Sequence, residues 1–100
     1  EYFVCLTLDG ANRLIAKRVV TIGTLTASLV HPREVFADAI ADRAASIIVA
    51  HNHPSGGLEA SQADKDVTNR LAEAGKLLGI TLNDHIIVTK TDYKSLLHSE

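Results

Sequence analysis

The chain lacks several things, and each shortage removes a class of protein. It holds a single cysteine, Cys5, inside an apolar run. An intramolecular disulfide needs two, so a disulfide-stapled secreted scaffold is excluded and a cytoplasmic setting is expected. No apolar stretch approaches the roughly 18 residues that a membrane-spanning helix needs. Ten Lys and Arg against twelve Asp and Glu give a formal net charge of −2, with no local basic cluster. The electrostatic footprint of a nucleic-acid binder is therefore missing. There is no initiator methionine and no signal-peptide pattern. The first residues, Glu1-Tyr2-Phe3-Val4, are already strand-like, so a fragment of a longer chain is expected. Repeats, linkers and low-complexity runs are also missing. What is there, 46% hydrophobic and 22% charged over 100 residues, suffices for one buried core and is too little for two domains.

Taken in order, Tyr2 to Leu8 reads as a central strand, rich in aromatic, β-branched and aliphatic residues. Asp9-Gly10-Ala11-Asn12 carries turn chemistry, and Arg13 to Ile22 resumes strand character, so a hairpin is predicted. Gly23 and Thr24 break that strand; Thr26 to Val30 reads either as a further short strand or as an irregular connection. His31-Pro32-Arg33-Glu34 looks like a helix start, with proline at the first position. Val35, Phe36, Ala39 and Ile40 then give residues 33–43 an apolar helical face. Ala45 to Ala50 reads as a short buried strand. Ser61-Gln62-Ala63-Asp64 opens the longest helix, with Val67, Leu71, Ala74 and Leu78 as its stripe and Gly79 as its stop. Leu82 to Thr89 is a strand, and Tyr93 to Leu97 a last short element. This order predicts an α/β (α+β) single domain over residues 1–100, a mixed β-sheet flanked by helices.

The chain is organised around His51-Asn52-His53-Pro54-Ser55-Gly56, with Ser61 and Asp64 beyond it. Two histidines one residue apart on an extended segment project to the same side. They follow a buried strand, where it runs out into a loop. With Asp64 near a helix start, two imidazoles and a carboxylate make a three-ligand set that leaves a fourth position for water, as in a catalytic zinc site. Zinc suits such mixed ligands, although other divalent ions fit them too. A metal can bring the pKa of bound water to about 7 and so supply a nucleophile. Amide hydrolysis also needs a base, for which a glutamate is apt, and a donor facing the oxyanion, which Ser61 could supply. No glutamate lies in an obvious base position within the loop.

The spacing His51-x-His53, seven residues, Ser61, two residues, Asp64 resembles the signature of the JAMM (MPN-plus) metallopeptidases. The flanks Val30-His31-Pro32-Arg33-Glu34-Val35-Phe36, Ala50 to Gly56 and Asp84-His85-Ile86-Ile87-Val88 look like its RadC branch, over nearly the whole chain. The resemblance implies a JAMM/MPN-like fold with cytidine-deaminase-like layering and one zinc ion per chain, held by His51, His53 and Asp64. It implies that Ser61 assists at the oxyanion or orients the metal-bound water. JAMM enzymes take their general base from a glutamate on an early strand, which makes Glu1 the candidate here. The implied substrate is a peptide or protein, cleaved at a peptide or isopeptide bond. The chain departs from better-known members at Asn52, where they carry Ser or Thr. Gly57-Leu58-Glu59-Ala60 lacks the acidic and proline residues that many RadC relatives have there. The helix-hairpin-helix region that often precedes this domain is absent.

Plainer readings stand beside these. Ser61-x-x-Asp64 is also a helix N-cap with an acidic first turn, a use that competes for the same carboxylate. Pro54, Ser55 and Gly56 are turn residues before they are substrate contacts. His31 reads as a helix-entry residue, His85 as the partner of neighbouring Asp84, and His98 as exposed. Cys5 reads as a small core residue without a base beside it. Glu34 and Glu73 read as solvated helix charges, and Glu59 as a loop charge. The rival function is a DNA-repair or mobile-element accessory module that acts by binding, with a structural or vestigial metal. Charge gives DNA contact no support. Barrel amidohydrolases need about 250 residues, and zinc deaminases a Cys-x-x-Cys pair that one cysteine cannot provide.

Overall fold

The computed structural model describes residues 1–22, 30–54 and 56–98. Residues 23–29, on which the reading of a strand from Thr26 largely fell, lie outside that range, as does Ser55. Strand β1 (Tyr2–Leu8) and strand β2 (Leu14–Ile22) form the expected antiparallel hairpin. Asp9 sets its turn: the carboxylate accepts the N–H groups of Ala11 and Arg13, each at 2.9 Å, the local bonding that makes Asp a turn residue. Helix α1 (Pro32–Ala41) begins after His31, whose Nδ1 accepts the Arg33 N–H. His31 is thus the helix-entry residue its sequence position suggested.

Strand β3 (Ser46–Asn52), helix α2 (Gln62–Leu78) and strand β4 (Thr81–Val88) form a crossover unit with β3 and β4 parallel. Short β5 (Tyr93–Ser95) returns antiparallel to β4. The order across the sheet is β2-β1-β3-β4-β5. The hairpin's first strand is therefore interior, paired with β2 on one side and antiparallel to β3 on the other. This mixed sheet with two helices among the described residues is the α/β layering expected.

Alternation along each strand gives the sheet two unlike faces. Phe3, Cys5, Ile47, Val49 and Leu82 point into one core with Val35, Phe36 and Ala39 of α1 and Val67 and Leu71 of α2. On the opposite face Val4, Leu6, Ile48, Ala50 and Ile86 are half-buried. Two expected core positions are not in the core: Ile40 is 55% exposed and Leu78 48%. The buried stripe of α2 runs Asp64, Val67, Thr68, Leu71, Gly75 instead. It is rotated towards the polar residues that the site uses. β3 also runs two residues further than expected, so His51 lies inside the strand and His53 just beyond it.

Candidate metal centre

Each side chain of the cluster reaches its place by a simple local rule. Ile47, Val49 and His51 alternate inward along β3, so the apolar positions that bury the strand also aim His51 at the core. His53 continues the alternation past the strand end, and its N–H donates to the Val88 carbonyl at 2.9 Å, tying the loop to β4. Asp64 is the third residue of α2, in a capping box: Ser61 Oγ accepts the Asp64 N–H at 3.0 Å, while Asp64 Oδ2 accepts the Ser61 N–H at 2.8 Å. Capping and site geometry do not compete, because Oδ1 faces His51 Nε2 at 3.0 Å. The carboxylate has an oxygen for each use.

The three residues converge. His51 Nε2 and His53 Nε2 are 2.9 Å apart, and His53 Nε2 is 3.3 Å from Asp64 Oδ2. One donor atom from each residue can be chosen so that all lie within 4.8 Å of one another. The chemistry of this donor set fits a cation. His53 Nδ1 lies 2.9 Å from the Gly57 carbonyl, which can only accept, so the ring proton belongs on Nδ1 and Nε2 presents a lone pair. A carboxylate contributes no hydrogen either. With both rings in the neutral form that binds metal, at most one ring proton, on His51, lies among these four atoms, beside the Ser61 N–H on Asp64 Oδ2; a divalent cation is what such a set accommodates.

Electrostatics agree. Burial lowers the pKa of His51, and the nearby His53 acts in the same direction, against the opposing charges of Asp64 and Glu1. His85 is lowered to about 4, by burial first and by His51 second. Both rings are therefore neutral, the form that binds metal. For Asp64, burial pushes the pKa up. The Ser61 N–H and the two histidines outweigh it, so the carboxyl stays below its usual range and ionised.

The flanking residues follow from the sheet. Phe3 pairs with His51 across β1 and β3; extending that antiparallel register sets Glu1 opposite His53, on the same face. The charge of Glu1 is near enough to raise the pKa of His51. Asn52 faces the other way and its Oδ1 accepts the Tyr2 N–H at 2.6 Å, which anchors the residue next to Glu1. A groove of about 510 Å³ opens at the carboxyl ends of the parallel pair, between Asn52, His53 and Pro54 on one side and Val88, Thr89 and Lys90 on the other. Open α/β sheets bind their ligands at that end. His85 pairs with Asp84, as expected, only through its main-chain N–H, which donates to Asp84 Oδ1 at 2.8 Å; its ring bonds to His51 and Thr68, and Asp84 also accepts from Ser95. His85 and Thr68 are the residues that sequence reasoning missed. The available signals were the alternation that sends His85 inward with Ile87, and the one-turn spacing from Asp64 to Thr68.

Among the described residues, a five-stranded mixed sheet with two helices, carrying a His-His-Asp cluster at the end of a parallel strand pair, has the architecture of a JAB/MPN-like α/β domain with a possible metal site. Compared with known families, the chain matches the RadC-like JAB domain over residues 1–100 and belongs to that family. It is similar to a UPF0758 protein of Methanospirillum hungatei, 59% identical over 96 residues, covering 96% of this chain and 43% of that protein. UPF0758 proteins of Halalkalibacterium halodurans and Thermosynechococcus vestitus are 52% and 48% identical over 96 residues, covering 96% of this chain in each case. The chain spans 41% and 38% of their lengths, so it matches well under half of these relatives.

Proposed function

We propose that this domain is a zinc-dependent hydrolase of the JAMM type, acting on a peptide or isopeptide bond, in a cytoplasmic setting. The observation that carries the reading is the convergence of His51 Nε2, His53 Nε2 and the Asp64 carboxylate with almost no hydrogen among them. These three would hold one zinc ion per chain. A bound zinc supplies Lewis acidity, which polarises a carbonyl and acidifies water. The rest of the chemistry falls to the chain. Glu1, on the face of His51 and His53, takes the proton of the attacking water and returns it to the leaving nitrogen. Ser61 uses its oxygen as acceptor for the Asp64 N–H, which leaves its own proton to donate to the oxyanion. The groove beside His53 receives the substrate. Family membership supports this reading.

The test is metal content beside an Asp64→Asn variant. An asparagine keeps an oxygen for the Ser61 N–H and so preserves the reciprocal bond of the capping box, which alanine would remove. The expected result is about one zinc per wild-type chain, none in Asp64→Asn, and equal thermal stability of the two metal-free proteins. Hydrolysis of peptide and isopeptide substrates by the zinc-loaded chain should then be lost in Glu1→Gln. Failure of the wild-type chain to take up a divalent ion from a zinc-supplied solution would remove the proposal.

A further inference from the structure

Behind His51 a line of hydrogen bonds runs away from the cluster. Its Nδ1 is 2.8 Å from His85 Nε2; His85 Nδ1 is 2.6 Å from Thr68 Oγ1; that hydroxyl reaches the Asp64 main-chain carbonyl at 2.9 Å. A neutral imidazole carries one N–H and a hydroxyl one O–H, so the line has a direction. Two directions are open, because Thr68 has two partners. If Thr68 donates to His85, both rings carry their proton on Nε2, and His51 donates towards Asp64 and His53. If Thr68 donates to the Asp64 carbonyl, both rings carry it on Nδ1, and His51 Nε2 becomes a bare lone pair. Only the second arrangement is compatible with a ligated cation.

We propose that Thr68 and His85 are positioning residues for the metal centre: the Thr68 hydroxyl turns from His85 to the Asp64 carbonyl as a divalent cation binds, and the reversed line holds His51 with Nε2 bare. This rests on the metal-site reading above. Protons balance. The one on His51 Nε2 leaves to water, that on His85 Nε2 crosses to His51 Nδ1, and that of Thr68 passes to His85 Nδ1 and is replaced from water. Each ring stays neutral and no net proton is released. Water can reach the far end, since a cavity of about 390 Å³ is lined by Thr68, Lys65, Asn69 and Leu96. Turning the His51 ring over is not an alternative route, because it would put carbons where Nδ1 meets His85 and Nε2 meets Asp64. Phe3, itself buried, stacks on the ring at 6.0 Å and 14° and meets His85 edge-on at 5.8 Å.

The experiment is ¹⁵N NMR of the histidine rings in the metal-free and zinc-loaded chain, with zinc affinity by chelator competition for wild type, Thr68→Val and Thr68→Ser. His51 and His85 should carry Nε2–H without metal and Nδ1–H with it. Thr68→Val leaves the His85 Nδ1–H of the loaded state facing a methyl group, so affinity should fall about 10- to 100-fold, the range for lost outer-sphere partners. Thr68→Ser, which keeps the hydroxyl, should bind like wild type. A zinc-loaded chain whose His85 proton has not moved overturns the relay alone, even if Thr68→Val fails to fold. So does a folded Thr68→Val with wild-type affinity. A wild-type chain that binds no zinc overturns the metal reading beneath it, and the relay with it.

Discussion

Asp64 shows how much one side chain can carry. Its Oδ2 closes the capping box and lies near His53, and its Oδ1 faces His51, so helix start and candidate site are built on the same carboxylate. Cys5 is the opposite case, a reactive group made inert. It is completely buried, and burial, followed by the charges of Asp38 and Asp42, pushes its thiol up to about 12. Native protein at pH 8 to 9 should therefore resist iodoacetamide, while chain unfolded in denaturant reacts fully; rapid labelling of the folded protein would contradict this. The sign for stability follows. The folded thiol keeps its proton past the unfolded value of about 8.5, so this group's contribution declines as pH rises above that. At this scale the convergence of His51, His53 and Asp64 was legible because their spacing is in the sequence. His85 was not: adjacency to Asp84 suggested a pair, yet successive strand residues face opposite sides. The two meet only through the His85 main-chain N–H, while the Asp84 carboxylate also takes Ser95 and the His85 ring goes to the core.

Helix α2 positions Asp64 and Thr68 one turn apart and then closes tightly on the sheet. Gly75 is buried on its inner face, and a Cβ there would lie 2.2 Å from the Ile80 carbonyl oxygen and 3.4 Å from Phe36. Gly79 adopts a left-handed φ of 73° as the chain turns, and the Ile80 N–H donates back to the Gly75 carbonyl at 3.0 Å. In an open helix Gly→Ala gains about 1 kcal/mol. Here the clash reverses the sign, and Gly75→Ala should destabilise by about 1–3 kcal/mol in a denaturant melt; a gain in stability would show that the turn yields easily. The helix itself was readable from periodicity and its caps. Its facing was readable in part: Val67 and Leu71 are buried and Ala74 packs against them, but a stripe drawn through apolar residues passes over Asp64 and Thr68, which are buried through their hydrogen bonds and not for their apolarity.

Across the whole molecule, a polar contact ties the hairpin to the helical layer beside the shared apolar core. Asp42, the C-cap of α1, receives two nitrogens of Arg18 from β2 and the Thr7 hydroxyl from β1. An acidic group is unfavourable at a helix C-terminus, and the guanidinium offsets it. The Arg18 hydrogen bonds, then that of Thr7, hold Asp42 below the ordinary carboxylate range. The unfolded chain therefore binds the proton first as pH falls. The pair's contribution is complete above about pH 3.9 and is lost as pH drops through the lower, folded value. Melts from pH 6 to pH 2 should show this acid loss shrinking in Asp42→Asn; an unchanged profile would assign it elsewhere. Element order was legible at this scale, but strand order was only partly so. That β1 lies between β2 and β3 depends on a long-range antiparallel pairing with no local signature, unlike a hairpin turn.

The line of hydrogen bonds behind His51 also has a schedule. A chain made from its N-terminus presents His51, His53 and Asp64 before His85 exists. At about 5–20 residues per second, the delay before His85 appears is roughly 1–4 s. During that interval His51 Nδ1 has no His85 Nε2 to meet, and the 2.8 Å contact between the two rings is made only when β4 docks beside β3.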